Sequence, residues 1–463
     1  MKLDKQNIIS EINSMKLNYP DRSSKVLISC AIRVNSINFN TLLNNFQNSD
    51  KKYFYWAKSI DRYCFLGYDH FMSFNTREDH SESGWNFDNK TIKKSFYHNW
   101  TKLELDSVPL IMGGLKFTKE SPSKLWNDYS YSNWFIPRII YLSQANRHFI
   151  IFNFFSNEDL DLDSAISQAE VFLNENESPH IKPYKVIHST YTDNDFEQWS
   201  SVINDALKNI SDDKVKKIVI SREVSLEFDH KPHMPEIIEK LGEKYPDCYI
   251  FIFRSGNSIF FGASPEKLLT IKNNHLETAA LAGSIKRGIS KSDDELLAKT
   301  LLSSTKNLAE QKAVTEFVIN AIAEHINNLS YEKNPVVKKL ENIQHLWTPI
   351  TGELKPDISI FDIIQKLHPT PAVCGVPCSE SLRLIDEYED HSRGLYSGVI
   401  GWLNFENEAD LAVGIRSALL NENKLYAYSG CGIVEGSDPS AEYEESNLKL
   451  KPILSLFENG IIG

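Results

Sequence analysis

The sequence predicts one compact α+β body. Short runs rich in β-branched and aromatic residues, typical of strands, occur throughout the chain. Two long helical patterns lie in its second half, each with a recognisable start. No internal repeat, low-complexity tract or Pro/Gly-rich linker separates the parts of the chain. We therefore expect residues 1–190 to be the N-terminal part of the same body as the rest.

The predicted strands are apolar segments bounded by polar residues or glycine. A glycine pair, Gly113 and Gly114, interrupts one of them and suggests a bend. The predicted strands span 26–34, 108–117, 149–155, 216–221, 249–253, 258–261 and 399–403.

Two helices matter most for the argument that follows. One begins near Ser292, a capping residue followed by acidic side chains in the first turn, and extends to about Ile326 in one or two pieces. The other begins at Pro439, because proline is favourable at the first helical position. A shorter helical pattern around 165–173 lies in a polar segment, 157–195, that we expect to connect the two halves.

Composition excludes several classes of function. The net charge of −12 argues against a broad nucleic-acid-binding or membrane-binding surface. The N-terminus lacks a secretory signal, and no apolar run approaches the ~20 residues that cross a bilayer. Six scattered cysteines without a Cys-x-x-Cys pair indicate free thiols in a reducing compartment, so we expect a cytoplasmic protein.

Lys217 and Glu266 are two candidate catalytic residues with ordinary alternatives. Strand alternation places Lys217, Val219 and Ser221 on one face, where a lysine is usually solvated. Glu266 follows Ser264 and a proline, which is the pattern of a capped helix start. Alternatively, a carboxyl group at this position among apolar neighbours could hold a proton at neutral pH.

Carboxylates recur at helical spacing in the second half. Glu310 lies four residues after Lys306, and Glu442, Glu445 and Lys449 are three and four apart. These pairs could be ordinary surface ion pairs. They could instead place Glu310 and Glu445 across a cleft, where carboxylates bind a hard divalent cation such as Mg²⁺. Spacing leaves both interpretations open.

Two small-residue loops, 281–284 and 429–434, could bring backbone N–H groups close to an anion. Tight turns are the commoner explanation for such loops. Neither loop alone distinguishes the two interpretations.

Taken together and in this order, these motifs resemble the chorismate-utilising enzymes, which include isochorismate, anthranilate, aminodeoxychorismate and salicylate synthases. The resemblance is strongest over residues 200–460, and the segments 54–56, 113–114 and 134–138 fit it too. It implies a fold in which large antiparallel sheets pack face to face with helices outside. It also implies that residues 191–463 form the chorismate-binding catalytic region.

The resemblance implies a role for each candidate residue. Lys217 matches the general base that activates water, and Glu266 the acid that protonates the departing hydroxyl. Glu310 and Glu445 match the ligands of Mg²⁺, with Glu442 beside the metal. Arg416 matches the arginine that holds a substrate carboxylate. The positions that match the substrate site are Gly283, Ser284, His345, Ala372, Arg416, Gly430 and Lys449.

The subclass follows from two segments. Ala282 stands where aminodeoxychorismate synthases carry a nucleophilic lysine, and 368–375 resembles the isochorismate synthase version of its loop. The implied reaction is the Mg²⁺-dependent isomerisation of chorismate to isochorismate, which feeds menaquinone, siderophore or salicylate synthesis. The alternatives are a salicylate synthase, an anthranilate synthase-type enzyme and an inactive binding subunit. No obligate partner protein is expected.

Three positions depart from the family pattern. Asn307 stands where an acidic residue often supports the metal site, and Gln311 replaces a common histidine after the metal-binding glutamate. Cys378 replaces a frequent basic residue. Because both inferred metal ligands are retained, we expect activity, with metal affinity the property most open to change.

Overall fold

The computed structural model describes residues 2–17, 26–47, 49–75, 96–119, 123–156, 162–174, 182–191, 195–341, 343–356 and 358–457. Parts of the predicted connecting segment 157–195 lie outside these ranges. The α-helices are α1 (Lys5–Leu17), α2 (Phe39–Phe46), α3 (Leu162–Leu173), α4 (Asp195–Ser211), α5 (Met234–Lys244), α6 (Lys291–Ser303), α7 (Thr305–Ile322), α8 (Ile360–Leu367), α9 (Cys378–Tyr388) and α10 (Pro439–Leu454). None of these described helices combines the length and the apolar character that a membrane-spanning helix needs.

Twenty-one strands are described. They are β1 (Leu27–Val34), β2 (Tyr53–Lys58), β3 (Tyr63–Asn75), β4 (Phe96–His98), β5 (Ile111–Leu115), β6 (Ser132–Gln144), β7 (Arg147–Phe155), β8 (Val186–Ser189), β9 (Lys217–Phe228), β10 (Tyr249–Ser255), β11 (Ser258–Ser264), β12 (Lys267–Lys272), β13 (His275–Lys286), β14 (Ile326–Tyr331), β15 (Val336–Lys339), β16 (Ile343–Leu354), β17 (Gly375–Val376), β18 (Val399–Leu403), β19 (Ala409–Val413), β20 (Ser417–Asn421) and β21 (Lys424–Ile433). Hydrogen bonds join them into one continuous network, and among the described pairs only β1 and β4 run parallel. The predicted α+β class with large antiparallel sheets is confirmed.

The N-terminal part of the chain shares this sheet with the C-terminal part. β2 pairs with β10, so that Trp56 lies opposite Phe251. β5 pairs with β18, so that Gly113 lies opposite Gly401. The backbone hydrogen bonds of residues before 190 therefore depend on strands that come much later in the sequence.

Side chains of the central strands alternate between two buried cores. Trp56 of β2 and Phe251 of β10 belong to the larger core, which also receives the apolar faces of α7, α8 and α9. The intervening Tyr55 and Ile250 belong to a second core with residues of α1, α2 and α5. Both faces of these strands are buried, which explains why their side chains are apolar on both sides.

Gly113 lies in a strand that continues without leaving the sheet. It has φ +145°, and a Cβ atom there would lie 2.0 Å from the carbonyl oxygen of Asn133 on β6. The glycine pair therefore permits close backbone approach between strands rather than the bend that the sequence suggested.

The long predicted helix is two helices. Ser304 ends α6 and caps α7, since its side chain accepts a hydrogen bond from the backbone N–H of Asn307. The helix that begins at Pro439 is confirmed, with Asp438 as its cap.

The predicted helix start at Glu266 is wrong. Ser264 ends β11 and Lys267 begins β12, so Glu266 lies in the short link between two strands. The hydroxyl of Ser264 donates to the carbonyl oxygen of Val413 at 2.6 Å, besides accepting from the N–H of Glu266 at 3.3 Å. The flanking apolar runs pair as strands, and this tertiary pairing overrides the local Ser-Pro-Glu pattern.

Candidate active site

One cavity collects almost all the predicted site residues. It lies between β9, β13, β16 and β21 on one side and α7 and α10 on the other. Of the predicted positions, it is lined by Glu266, Gly283, Ser284, Glu310, His345, Ala372, Arg416, Gly430, Glu442, Glu445 and Lys449. Lys217 is not on the lining itself, but it contacts a residue that is.

Lys217 forms a buried ion pair at one end of this cavity. Its Nζ lies 2.7 Å from Oε1 of Glu310, and only 3% of its side chain is exposed. Val219, two residues along β9 on the same face, lines the cavity. Opposite Val219 stands Gly432 of β21, where a Cβ atom would lie 2.8 Å from both Cε of Lys217 and Oε1 of Glu310. A glycine at this position therefore leaves the ion pair its space.

Glu266 is a buried carboxyl group, with 8% of the residue exposed. Burial raises its pKa to about 7, because removal from water disfavours the charged form. It thus exists partly protonated near neutral pH, as the alternative interpretation of this motif expected. Four neighbouring cations act in the opposite direction, namely Lys217, Arg416, Lys449 and Lys338.

Three carboxylates of α7 and α10, those of Glu310, Glu442 and Glu445, line the cavity. One ligand atom each from Cys431, Glu442 and Glu445 lie within 4.8 Å of one another. Lys449 forms an ion pair with Glu445 at 2.6 Å, and Lys306 forms one with Glu442 at 2.9 Å. The ion pair of Glu445 and Lys449 is present, whereas Lys306 pairs with Glu442 rather than with Glu310. These carboxylates also line a common cavity, as the second interpretation expected of Glu310 and Glu445.

This donor set fits a hard divalent cation. Glu310, Glu442 and Glu445 supply carboxylate oxygens, the ligands that Mg²⁺ prefers. Burial and the charge of nearby Glu445 raise the pKa of Glu442. Burial also acts on Glu445, but Lys449 outweighs it and the pKa of Glu445 is lowered. Such crowding of carboxylates is the electrostatic environment that a cation relieves.

His345 and Ser284 form a polar wall of the cavity. The Oγ of Ser284 lies 3.0 Å from Nδ1 of His345. Burial lowers the pKa of His345 to about 3, so the imidazole is neutral at physiological pH. Its Nε2 is buried and has no hydrogen-bond partner in the described part of the chain. This ring can therefore make one further hydrogen bond to a bound molecule.

Gly283 and Gln311 shape the neighbouring backbone. β13 shifts register against β16 between Ala282 and Ser284, and Gly283 there has φ +66°, a conformation that favours glycine. The amide oxygen of Gln311 accepts from the N–H of Ala282 at 2.8 Å. The departure at position 311 thus supports this wall. Asn307 lines the cavity, whereas Cys378 lies 3.7 Å from the thiol of Cys374 outside it.

Arg416 presents a cation to the cavity. Its backbone has φ +50°, and its carbonyl oxygen accepts from the N–H of Ala263 at 3.1 Å. Its guanidinium forms no ion pair within 4 Å among the described carboxylates, and burial lowers its pKa. A buried arginine without a carboxylate partner is a suitable anchor for an anionic ligand.

Tyr396 and Ser397, which the sequence did not single out, line one wall of the cavity together with Val373 of the segment 368–375. Arg393 donates to the carbonyl oxygens of Val373 and Val219, each at 2.7 Å, and so ties this wall to β9. Glu389 and Arg393 form a buried ion pair. Their spacing of four residues is the feature of the sequence that could have indicated this pair.

The model of the chorismate-binding enzyme family matches residues 12–458. The chain belongs to this family. Among curated members, the isochorismate synthase MenF of Bacillus subtilis is 32% identical over 445 residues, which cover 93% of each chain. The salicylate biosynthesis isochorismate synthase of Pseudomonas aeruginosa is 32% identical and covers 76% of each chain. The resemblance inferred from the motifs is thereby confirmed.

The fold agrees with that of solved family members. The menaquinone-specific isochorismate synthase MenF of Escherichia coli superimposes with a TM-score of 0.77, covering 98% of this chain and 99% of the other. The sequence identity is 21%, so this likeness concerns the fold.

Proposed function

We propose that the chain is an isochorismate synthase that isomerises chorismate to isochorismate. The observation that carries the proposal is the pairing of a buried acid, Glu266, with an amine, Lys217, at one cavity of a chorismate-binding fold. Water addition and hydroxide loss need one group to accept a proton and another to donate one. The two relatives that are 32% identical, matched over 93% and 76% of their length, support the same assignment.

Lys217 is the proposed base and Glu266 the proposed acid. Lys217 must first release the proton that it carries in the ion pair with Glu310. The neutral amine then takes a proton from water as the water oxygen bonds to one ring carbon. The ring double bonds shift, and the hydroxyl on another carbon leaves with the proton of Glu266 as water. Each assisted proton transfer typically contributes ~10²–10⁴-fold in rate. After turnover the amine is protonated and Glu266 is a carboxylate, so both must exchange protons before the next cycle.

Glu310 and Glu445 are the proposed ligands of Mg²⁺, with Glu442 beside them. Their carboxylates line the same cavity as Glu266, which supports this assignment. When bound, Mg²⁺ would neutralise a substrate carboxylate and fix the position of the ring. Arg416, free of a carboxylate partner among the described residues, is suited to the second carboxylate of the substrate.

The remaining predicted positions shape the substrate cavity. Lys449 donates from Nζ to the carbonyl oxygen of Gly430 at 2.9 Å, which fixes both residues on the wall. His345 and Ser284 offer neutral hydrogen-bonding groups. Ala372 supplies part of the apolar surface against which a ring can lie.

Ala282 argues against a mechanism in which a side-chain amine bonds covalently to the substrate ring. It lines the cavity, and a methyl group cannot form a bond to the ring. A purified preparation of this chain alone should convert chorismate to isochorismate with Mg²⁺, without ammonia or a partner protein. Salicylate with pyruvate, or an ammonia-dependent aromatic amine, would identify one of the alternative enzymes. No conversion at all would identify an inactive binding protein.

Two further assignments go with this proposal. Residues 191–463 are the proposed catalytic region, because the described cavity residues all come after residue 190. A cytoplasmic location is proposed because all six cysteines, which lie within the described residues, are free thiols and suit a reducing compartment.

A further inference from the structure

Glu266 separates two cavities. Besides the candidate active site, a second cavity of about 400 Å³ lies on the other side of the link between β11 and β12. Pro265, Glu266 and Leu281 line both cavities. The acid can therefore be influenced from the side opposite the candidate active site.

Lys338 lines this second cavity, which Glu266 lines as well. It stands on β15 opposite His345 of β16, and its Nζ donates to the carbonyl oxygen of Pro265 at 3.4 Å. The same ammonium group lies 5.9 Å from the ring centre of Trp347. Among the described residues, no carboxylate approaches it within 4 Å.

The other lysines of the second cavity differ from Lys338 in this respect. Lys58 forms an ion pair with Asp61 at 2.6 Å. Lys267 forms one with Glu277 at 2.8 Å. Their charges are compensated locally, whereas that of Lys338 is not.

We propose that Lys338 is a positioning residue for the acid Glu266. From the second cavity, its ammonium group holds the peptide that precedes Glu266 and stabilises the carboxylate left after proton donation. This inference rests on the proposed function, because it assigns Glu266 the role of acid.

The stabilisation follows from the pairing of the other cations. A buried carboxylate is costly unless a cation or hydrogen bonds compensate it. Lys217 is already paired with Glu310, and Lys449 with Glu445, so their fields at Glu266 are partly cancelled. Arg416 would lose its free charge once it binds a substrate carboxylate. Lys338 alone among these four has neither a carboxylate within 4 Å among the described residues nor a proposed part in binding the substrate or in catalysis.

The charged and titratable surroundings are defined on both sides. On the active-site side, the groups around Glu266 are Lys217, Lys306, Glu310, His345, Tyr396, Arg416, Glu442, Glu445 and Lys449. On the Lys338 side, they are Lys58, Asp247, Cys248, Tyr249, Lys267 and Glu277.

The test is the pH dependence of kcat/KM at saturating Mg²⁺. Lys338→Met removes the charge and keeps the volume, so the inflection that belongs to Glu266 should move upward by roughly 0.5–1 pH unit, the size expected of one partly screened charge. Lys338→Arg should restore the wild-type profile. Lys58→Met, the matched control in the same cavity, should leave it unchanged, because its charge is already paired.

A second measurement separates this proposal from the proposed function. Difference infrared spectra between each protein and its Glu266→Gln counterpart report the protonated carboxyl group without any turnover. The midpoint of that band should lie higher in Lys338→Met than in the wild type, even in a protein that fails to make isochorismate. An unshifted midpoint, or an equal shift in Lys58→Met, would overturn the role of Lys338.

Discussion

Lys217 and Glu310 form a single buried ion pair, with 2.7 Å between Nζ and Oε1. Family resemblance assigns them separate tasks, one as general base and the other as metal ligand. Their contact means that whatever engages the Glu310 carboxylate also changes the surroundings of the Lys217 amine. The proton acceptor and the proposed metal site are therefore adjacent parts of one structure.

Lys217→Met should abolish turnover and also destabilise the fold. Its loss leaves Glu310, 12% exposed, without its partner, and breaking a buried pair typically costs ~3–5 kcal/mol. Mg²⁺ should recover part of that loss, because a cation compensates the same carboxylate. Activity assays and thermal unfolding with and without Mg²⁺ measure both effects.

The control is Lys216→Met, a substitution of the adjacent exposed lysine. It should change neither activity nor the melting temperature appreciably. Near-normal turnover in purified Lys217→Met would contradict the assignment of the base.

Glu266→Gln should lower kcat by at least ~10²-fold, because an amide cannot donate the required proton. It should also change how stability depends on pH. The pKa of Glu266 is about 7 in the folded protein against 4.5 unfolded, so ionisation disfavours folding progressively from pH 4.5 to 7. At pH 8 the wild type carries a penalty of roughly 3 kcal/mol that the variant lacks.

Urea unfolding of both proteins at about pH 5 and pH 8 checks this sign. The variant should gain stability relative to the wild type as the pH rises. A constant difference between the two proteins would mean that Glu266 is ionised in the folded protein throughout this range.

His345→Gln should make the protein less sensitive to acid. The pKa of His345 is about 3 when folded against 6.5 unfolded, so the unfolded chain binds the extra proton and stability falls as the pH drops from 6.5 towards 3. At pH 4.5 this costs the wild type roughly 2–3 kcal/mol that the variant avoids. Unfolding midpoints at pH 4.5 and pH 8 provide the comparison.

His275→Gln is the matched control, because this histidine is exposed at the start of β13. It should behave like the wild type at both pH values. If His345→Gln shows no advantage in acid, the imidazole is accessible to protons in the folded state.

The sequence could predict the elements but not the environment of the acid. The strands at 216–221 and 399–403 and the helix at Pro439 carry local signals, and the structure contains them. Ser-Pro-Glu predicts a helix start at Glu266, because the local sequence contains the capping signal but not the strand pairing that overrides it. Its burial arises from strands and helices distant in the chain, and no local pattern contains that information.

The ion pair of Lys217 and Glu310 was equally hidden, since 93 residues separate its partners. Resemblance placed each residue in the site but gave no contact between them. The sequence allows one helix or two between Ser292 and Ile326, because a serine within a helical pattern can be either a cap or an interior residue. In the structure Ser304 has an extended backbone, and its side chain accepts from the N–H of Asn307, so it is a cap.

Glu445→Gln should remove the response to Mg²⁺. In the wild type, a saturating cation that binds only the folded state stabilises it by about 2.7 kcal/mol at a hundred times Kd. Thermal unfolding across a Mg²⁺ titration should show this shift, and chelation should abolish activity reversibly. The variant should show neither the shift nor the activity.

Glu444→Gln is the control, since Glu444 is the exposed neighbour on α10. It should retain the full Mg²⁺ response. If thoroughly chelated wild-type protein kept its activity, the metal site would be excluded.

Arg416→Gln should weaken substrate binding and at the same time stabilise the free protein. Arg416 is 9% exposed and lacks a described carboxylate partner, so the free enzyme bears the cost of a buried, uncompensated charge. In the complex, that charge would pair with a substrate carboxylate, an interaction typically worth ~1.5–3 kcal/mol. KM for chorismate should therefore rise ~10–100-fold, while the melting temperature rises as well. Arg416→Lys keeps the charge and should show a smaller increase in KM with no gain in stability. A variant with unchanged KM and a lower melting temperature would assign Arg416 to the fold instead, because a structural cation stabilises the protein that contains it.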